Sequence, residues 1–155
     1  NENYKFYRIL LILTAVVIYG CGTPEREIKI FTNFNSDSLF FADEGRNPSN
    51  VTIDFDEKVT KIKTLHRGVS NNEKVQLTLI DESGNVLGNW DGETEKMADD
   101  SNTYYRIFYS KLDIKPGSYK VVLSNTSGWV YNAQSGNSGF VSVYAILQTS
   151  KNTKE

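Results

Sequence analysis

Apolar and polar residues alternate along much of the chain after residue 27, with the period of two that a half-buried β-strand imposes. Val51, Ile53 and Phe55 alternate with Thr52, Asp54 and Asp56, and Val75, Leu77 and Leu79 with Gln76 and Thr78. Tyr105, Ile107 and Tyr109 alternate with Arg106, Phe108 and Ser110. Tyr119, Val121 and Leu123 do the same with Lys120, Val122 and Ser124. Each pattern predicts a strand with one face in the core and one in water. The run Phe140–Leu147 is apolar on both faces except at Ser142, which predicts a central strand. No apolar stripe of period 3.6 follows Cys21. The predicted strands are 27–32, 37–42, 50–56, 59–66, 74–81, 85–90, 103–112, 117–124, 128–132 and 139–148. Residues 91–102 (DGETEKMADDSN) are read as a long acidic loop.

Turn chemistry separates these runs. Asp81-Glu82-Ser83-Gly84-Asn85 carries residues that tolerate the left-handed backbone a hairpin loop requires. Pro116-Gly117 suits a type II turn, with proline presetting φ at the second position and glycine taking positive φ at the third. Asn125 to Gly128 and Ser135 to Gly139 are further loops. Many short strands punctuated in this way predict an all-β fold, an antiparallel β-sandwich of jelly-roll or Ig-like type. The pattern does not choose between these two connectivities.

The front of the chain is different. Lys5 and Arg8 precede an apolar run, Ile9 to Ile18, interrupted by one hydroxyl at Thr14. A membrane-spanning helix needs ~20 apolar residues, and this run is about half that length. A basic flank before a short apolar run is the layout of a secretory signal. Ile18-Tyr19-Gly20-Cys21 resembles the bacterial lipoprotein signal box. That resemblance implies a signal peptide over 1–20, cleavage before Cys21, and fatty acylation (palmitate included) of Cys21 as the new N-terminus. Each buried methylene of such a chain contributes ~0.8 kcal/mol to membrane binding. Residues 21–27 then form the lipidated cysteine and a polar tether, 28–148 the sandwich domain, and 149–155 a polar tail. The expected place is a bacterial cell envelope, with the domain extracytoplasmic and its first partner the membrane.

Charge narrows the partners. The chain has 17 Lys and Arg against 19 Asp and Glu; loss of residues 1–20 takes away Lys5, Arg8 and Glu2, which leaves 15 against 18, a net charge of −3. A mildly acidic domain lacks the basic footprint of a nucleic-acid binder and the polybasic patch that attracts anionic lipid. Cys21 is the sole cysteine, so no intrachain disulfide can form. A core alone must hold the fold.

Three stretches, VQLTLIDESGNVLGNWDG (75–92), LDIKPGSYKVVLSNTSG (112–128) and GFVSVYAIL (139–147), together resemble the bacterial pre-peptidase C-terminal type of domain. The resemblance covers about half of the mature chain. It implies a jelly-roll-like sandwich that serves as a non-catalytic appendage of secreted enzymes, with relatives that bind calcium or matrix polymers. Asp37-Ser38-Leu39-Phe40 stands where that family carries an acidic-aromatic motif.

Few residues offer chemistry. His66 is the only histidine, and no Gly-x-Ser-x-Gly elbow accompanies it. One histidine and one lipidated cysteine cannot build a zinc site. Asp91, Glu93, Glu95, Asp99 and Asp100 share one stretch; they are weak candidates for calcium, because their spacing lacks the Asp-x-Asp-x-Asp-Gly form. No cofactor is expected otherwise. Most of the 9 Tyr, 8 Phe and 2 Trp fall in the strand pattern, Trp90 among them. Trp129 and Tyr131 lie between two Ser/Gly/Asn loops and point the same way if the segment is extended. Two readings stand for them: packing over an end of the sandwich, or a platform for a sugar, with Asn132, Gln134 and Asn137 bonding its hydroxyls. The expected function is a non-enzymatic binding module for a polysaccharide or a protein. The alternatives are a small extracytoplasmic hydrolase and a calcium-dependent adhesion module.

Overall fold

The computed structural model describes residues 25–36, 39–43, 46–68, 73–100 and 102–147. Residues 1–24, which include Cys21 and the expected signal peptide, and residues 148–155, which include the expected polar tail, lie outside the described residues. Nine strands are formed: β1 (Glu27–Thr32), β2 (Ser49–Ile53), β3 (Glu57–Arg67), β4 (Gln76–Ile80), β5 (Val86–Asp91), β6 (Glu93–Lys96), β7 (Thr103–Ile114), β8 (Gly117–Leu123) and β9 (Val141–Ile146).

They make two antiparallel sheets, one ordered β1-β9-β3-β7-β6 and the other β2-β8-β4-β5. The pairing is nested: β1 with β9, β2 with β8, β3 with β7, β4 with β5. Successive nested pairs alternate between the sheets. A long hairpin rolled up in this way is a jelly roll, and that settles the connectivity which the sequence pattern left open. The predicted central strand β9 does sit between two neighbours, β1 and β3.

The core lies between the sheets. Val51 and Ile53, Leu77 and Leu79, and Tyr119, Val121 and Leu123 face Val59, Ile62, Phe108, Val141 and Val143 in one cluster. Val59 and Ile62 are both buried although an odd number of positions separates them. A bulge between Val59 and Lys61 absorbs the extra residue and keeps both side chains inward.

Four expectations need correction. Residues 39–42 of the predicted strand 37–42 form no strand; Phe41 makes a single bridge to Tyr131, and residues 37 and 38 lie outside the described residues. Residues 128–132 likewise make only isolated bridges, from Trp129 to His66 and from Tyr131 to Phe41. The predicted loop 91–102 contains β6, an edge strand whose four side chains are all exposed. All four of these side chains are polar as well, so β6 leaves no apolar alternation to read. The first strand of the second sheet also stops at Ile53, and Phe55, counted as buried by alternation, is 72% exposed in the bend before β3.

The strand directions define two poles. Glu27 and Lys58 both pair with Ile146, and Lys58 also pairs with Asp113, so the chain enters the domain at one pole of the five-stranded sheet. Arg67 pairs with Thr103 at the other. The 11 residues of β3 run from the first pole to the second, about 36 Å at ~3.3 Å per residue.

Candidate functional site

The far pole carries a cleft of about 330 Å³, within the size range of small-ligand sites. Its walls are Phe34, Phe40, Leu65, Val130 and Phe140, and its polar positions are Asn35, Ser36, Arg67 and Thr103. Phe140 is buried and forms the floor. Phe34 packs against it with ring centroids 5.1 Å apart, and stacks on its other side against Tyr105 at 6.3 Å. Beside the cleft, Leu39, Phe40 and Phe41 are 67%, 42% and 49% exposed. Consecutive apolar side chains left in water mark an interaction surface.

The segment that bears these rings is irregular yet tied down. The Asn33 amide takes the place of a strand residue: its oxygen accepts from Val141 N at 2.7 Å and its nitrogen donates to the Gly139 carbonyl at 3.0 Å. Asn35 and Asn132 exchange amide hydrogen bonds at 3.1 and 2.6 Å. Phe41 and Tyr131 exchange backbone bonds of 2.9 and 3.0 Å. At the lip, Arg67 holds its guanidinium 5.6 Å from the centre of the Phe40 ring, and its backbone N donates to the Gly128 carbonyl.

The residues singled out by sequence fall differently. Trp129 is fully buried, with its indole Nε1 donating to the Phe140 carbonyl at 2.9 Å, so it belongs to the core and presents no platform. The alternation that put Trp129 and Tyr131 on one face treated the segment as a free strand; in fact Trp129 is drawn inward beneath the end of β3. Tyr131 is half-buried, donates its hydroxyl to Asp43 at 2.7 Å and packs against Phe41. The Asp43 bond holds the Tyr131 phenol pKa above its usual value. Asn132 is buried and holds the turn through Ser135 as well as Asn35. Gln134 is exposed in that turn and does not line the cleft. Asn137 closes the same turn with φ of +57°. Trp90 is half-buried against the core.

The acidic candidates are spread out rather than gathered. Glu93 and Glu95 lie on β6, Asp91 accepts from Gln76 across the β4–β5 pair, and Asp100 caps a turn by accepting from Thr103 and Asn102. Those turn bonds keep the Asp100 carboxyl below its ordinary pKa. Asp99 sits in the same turn. Among the described residues, no three His, Cys, Asp or Glu side chains are grouped to hold a metal ion.

His66 is fully buried. Its ring stacks between Tyr104 at 5.6 Å and Trp129 at 6.5 Å, and its Nε2 shares a 2.8 Å hydrogen bond with the Thr64 hydroxyl. Burial, then the Arg106 charge, push its pKa down to about 3. The Ser127 backbone favours the charged form, but no bond of proper geometry forms at Nδ1. The His66 Nδ1, the Tyr104 hydroxyl and the Arg106 Nε are all buried without partners. The imidazole is therefore neutral and sealed from outside substrates.

A larger hollow of about 570 Å³ lies at the entry pole beside Tyr109, Lys58 and Lys111. Tyr109 is its one ring, beside Val59, Ile146 and the polar Glu25, Thr60 and Ser110, so it offers fewer aromatic faces to a ligand than the far-pole cleft. The sequence marks Phe40 only within the Asp37–Phe40 stretch and Phe140 only as the start of a central strand, and it does not single out Phe34; none of the three is read as a cleft residue, because Phe34 and Phe40 sit outside any regular strand. The signal available was the run of rings in FTNFNSDSLFF (31–41), too dense in aromatics for an ordinary polar connection.

Comparison with protein-family models, with curated proteins and with solved structures finds no match to this chain.

Proposed function

We propose that this protein is a non-enzymatic, membrane-anchored extracytoplasmic binding module whose far-pole cleft takes a glycan. The observation that carries the reading is the open cleft itself, walled by rings and rimmed by amide, hydroxyl and guanidinium groups. A sugar is amphipathic in the same way. Its C–H face gains dispersion against Phe34 and Phe40, while its hydroxyls meet Ser36, Thr103 and Arg67. The pre-peptidase C-terminal resemblance, which implies a non-catalytic jelly-roll appendage, points in the same direction. So does the lipoprotein signal box. Acylation at Cys21 would hold the entry pole at the membrane and leave the cleft facing away from it. His66, the only imidazole, is buried away from the cleft, which supports a binding role over a hydrolytic one.

The test is a binding screen of the soluble domain against neutral and acidic polysaccharides, followed by Phe40→Ala. The Phe40 ring is 42% exposed, so its removal should abolish binding without lowering the melting temperature. Binding that survives Phe40→Ala would remove the cleft from consideration. A domain that retains no polysaccharide but captures a protein through Leu39 to Phe41 would replace the glycan with a protein partner.

A further inference from the structure

Resting on the glycan reading of this cleft, we propose that its ligand is an anionic polysaccharide, with a sugar carboxylate paired to Arg67 and the chain laid from the cleft onto the outer face of the five-stranded sheet. The charge that selects the ligand is built into the lip. Arg67 is exposed and stacks its guanidinium over Phe40 at 5.6 Å. A guanidinium lying over a ring can still turn in-plane N–H donors outward, the geometry that meets a carboxylate with two parallel bonds. None of the ion pairs formed among the described residues involves Arg67. The acid whose charge it feels is Asp100, and that carboxylate is occupied by Thr103 Oγ1 at 2.6 Å and Asn102 N at 2.9 Å.

Beyond the lip, rings and cations continue across the sheet. Phe34 stacks on Tyr105, and Lys63 lies 5.1 Å from the Tyr105 ring centre. Lys63 is also 5.8 Å from the Tyr144 ring, which has Lys61 at 4.8 Å and Lys29 at 5.7 Å. Register puts Lys29, Tyr144 and Lys61 directly opposite one another on adjacent strands, so they share one face. Glu27 pairs with Lys61 and Glu95 with Lys63, and Glu93 lies beyond them on the β6 edge. The ammonium groups thus lie between the rings, and the carboxylates stand at the two edges of the sheet. On a domain that is net acidic, this track suits a polymer that alternates a sugar face with a negative charge. A neutral glucan would use the rings and leave Arg67 and Lys29, which form no ion pair among the described residues, without an anion.

The experiment is calorimetric titration of the soluble domain with a polyuronate and with a neutral glucan of matched length, at two salt concentrations. The polyuronate should bind at least tenfold more tightly, and the preference should shrink as salt rises. Arg67→Gln should cut polyuronate affinity about tenfold, to near the neutral value, with the melting temperature unchanged. Lys120→Gln, an exposed cation on the opposite sheet, should leave both affinities as they were. Equal affinity for the two polymers, or equal losses in Arg67→Gln and Lys120→Gln, would overturn the charge selection while Phe40→Ala still reported on the cleft. If neither polymer binds, the glycan reading fails along with it.

Discussion

Gly139 lies flat against the indole of Trp129, and a β-carbon built on it would overlap the ring at Cε2, Cδ2 and Cζ2. The indole is fully buried and its Nε1 is bonded to the next carbonyl, Phe140, so it cannot swing aside. Gly139→Ala should therefore cost about 1–3 kcal/mol, the usual penalty for overpacking a filled core. Urea unfolding of the two proteins measures this directly. An unchanged midpoint would mean that the ring has more room than the packing allows.

The same burial gives Trp129 a spectroscopic signature. Trp90 is half-buried and Trp129 has no exposed surface. In a Trp90→Phe protein the remaining indole should resist acrylamide and iodide, and should become quenchable only on unfolding. Trp129→Ala should lose ~3–5 kcal/mol, as expected for removing a large core ring. Ready quenching in the folded state would restore the surface platform that the alternating pattern suggested.

Much of the fold was legible because burial leaves a period. Val121 and Leu123 on β8, and Leu77 and Leu79 on β4, are inward where alternation put them, and the doubly apolar β9 is central. Connectivity was not legible, since nested and Ig-like pairings bury the same faces of the same strands. Nor was β6, where an edge strand with four exposed side chains leaves no hydrophobic signal. The cleft was missed for a related reason. Phe34 and Phe40 are placed by the side-chain bonds of Asn33 and Asn35 to residues about a hundred positions away, and no local pattern encodes such a bond. Asn132 was noticed, but it is one of those anchors and not a ligand group.

Leu123 tests the core itself. It is 2% exposed and sits in the cluster between the sheets. Leu123→Ala should cost ~2–5 kcal/mol. Chelation should leave the wild-type melting temperature unchanged, because the core and not an ion carries the stability. A chelator-induced drop would point to a metal that the dispersed carboxylates give no reason to expect.

His66 should make the protein acid-sensitive before its carboxylates do. Burial and Arg106 hold its folded pKa at about 3, against 6.5 for the free side chain. Between those values the unfolded chain binds a proton that the folded chain refuses, so stability falls as pH drops from 6.5 toward 3, and no further His66 loss occurs below that. The loss by pH 5 is about 2 kcal/mol. Glu27, Asp81 and Asp100 have pKa values lowered from 4.5, 3.8 and 3.8, so their contributions vanish only at lower pH. Unfolding free energies at pH 7.5 and 5 should differ by about 2 kcal/mol more in the wild type than in His66→Gln. Equal slopes would mean that the imidazole is solvated.

The two poles lead to a prediction about orientation. Glu25 and β1 start at the pole that also carries the turn after Ile80, because Ile80 pairs with Lys120 near the start of β8 and Gly117 pairs with Ile53 just before the bend into β3. The cleft is at the other pole. If Cys21 is acylated, only residues 22–26 separate the lipid from β1, at most about 17 Å of extended chain, which is shorter than the domain is long. The domain should stand on its entry pole with the cleft outward. Acylation also removes the only thiol in the chain, so a single introduced cysteine reports its own exposure. In proteoliposomes, Ser36→Cys at the cleft should react with a polyethylene-glycol maleimide faster than Ser83→Cys at the entry pole, and detergent should make the rates equal. Equal rates in the intact vesicles would mean that the domain lies on its side or tumbles freely. Cys21→Ser should yield soluble protein or uncleaved precursor in fractionated cells, and a wild-type Cys21 found unmodified by mass spectrometry would remove the anchor from which the orientation follows.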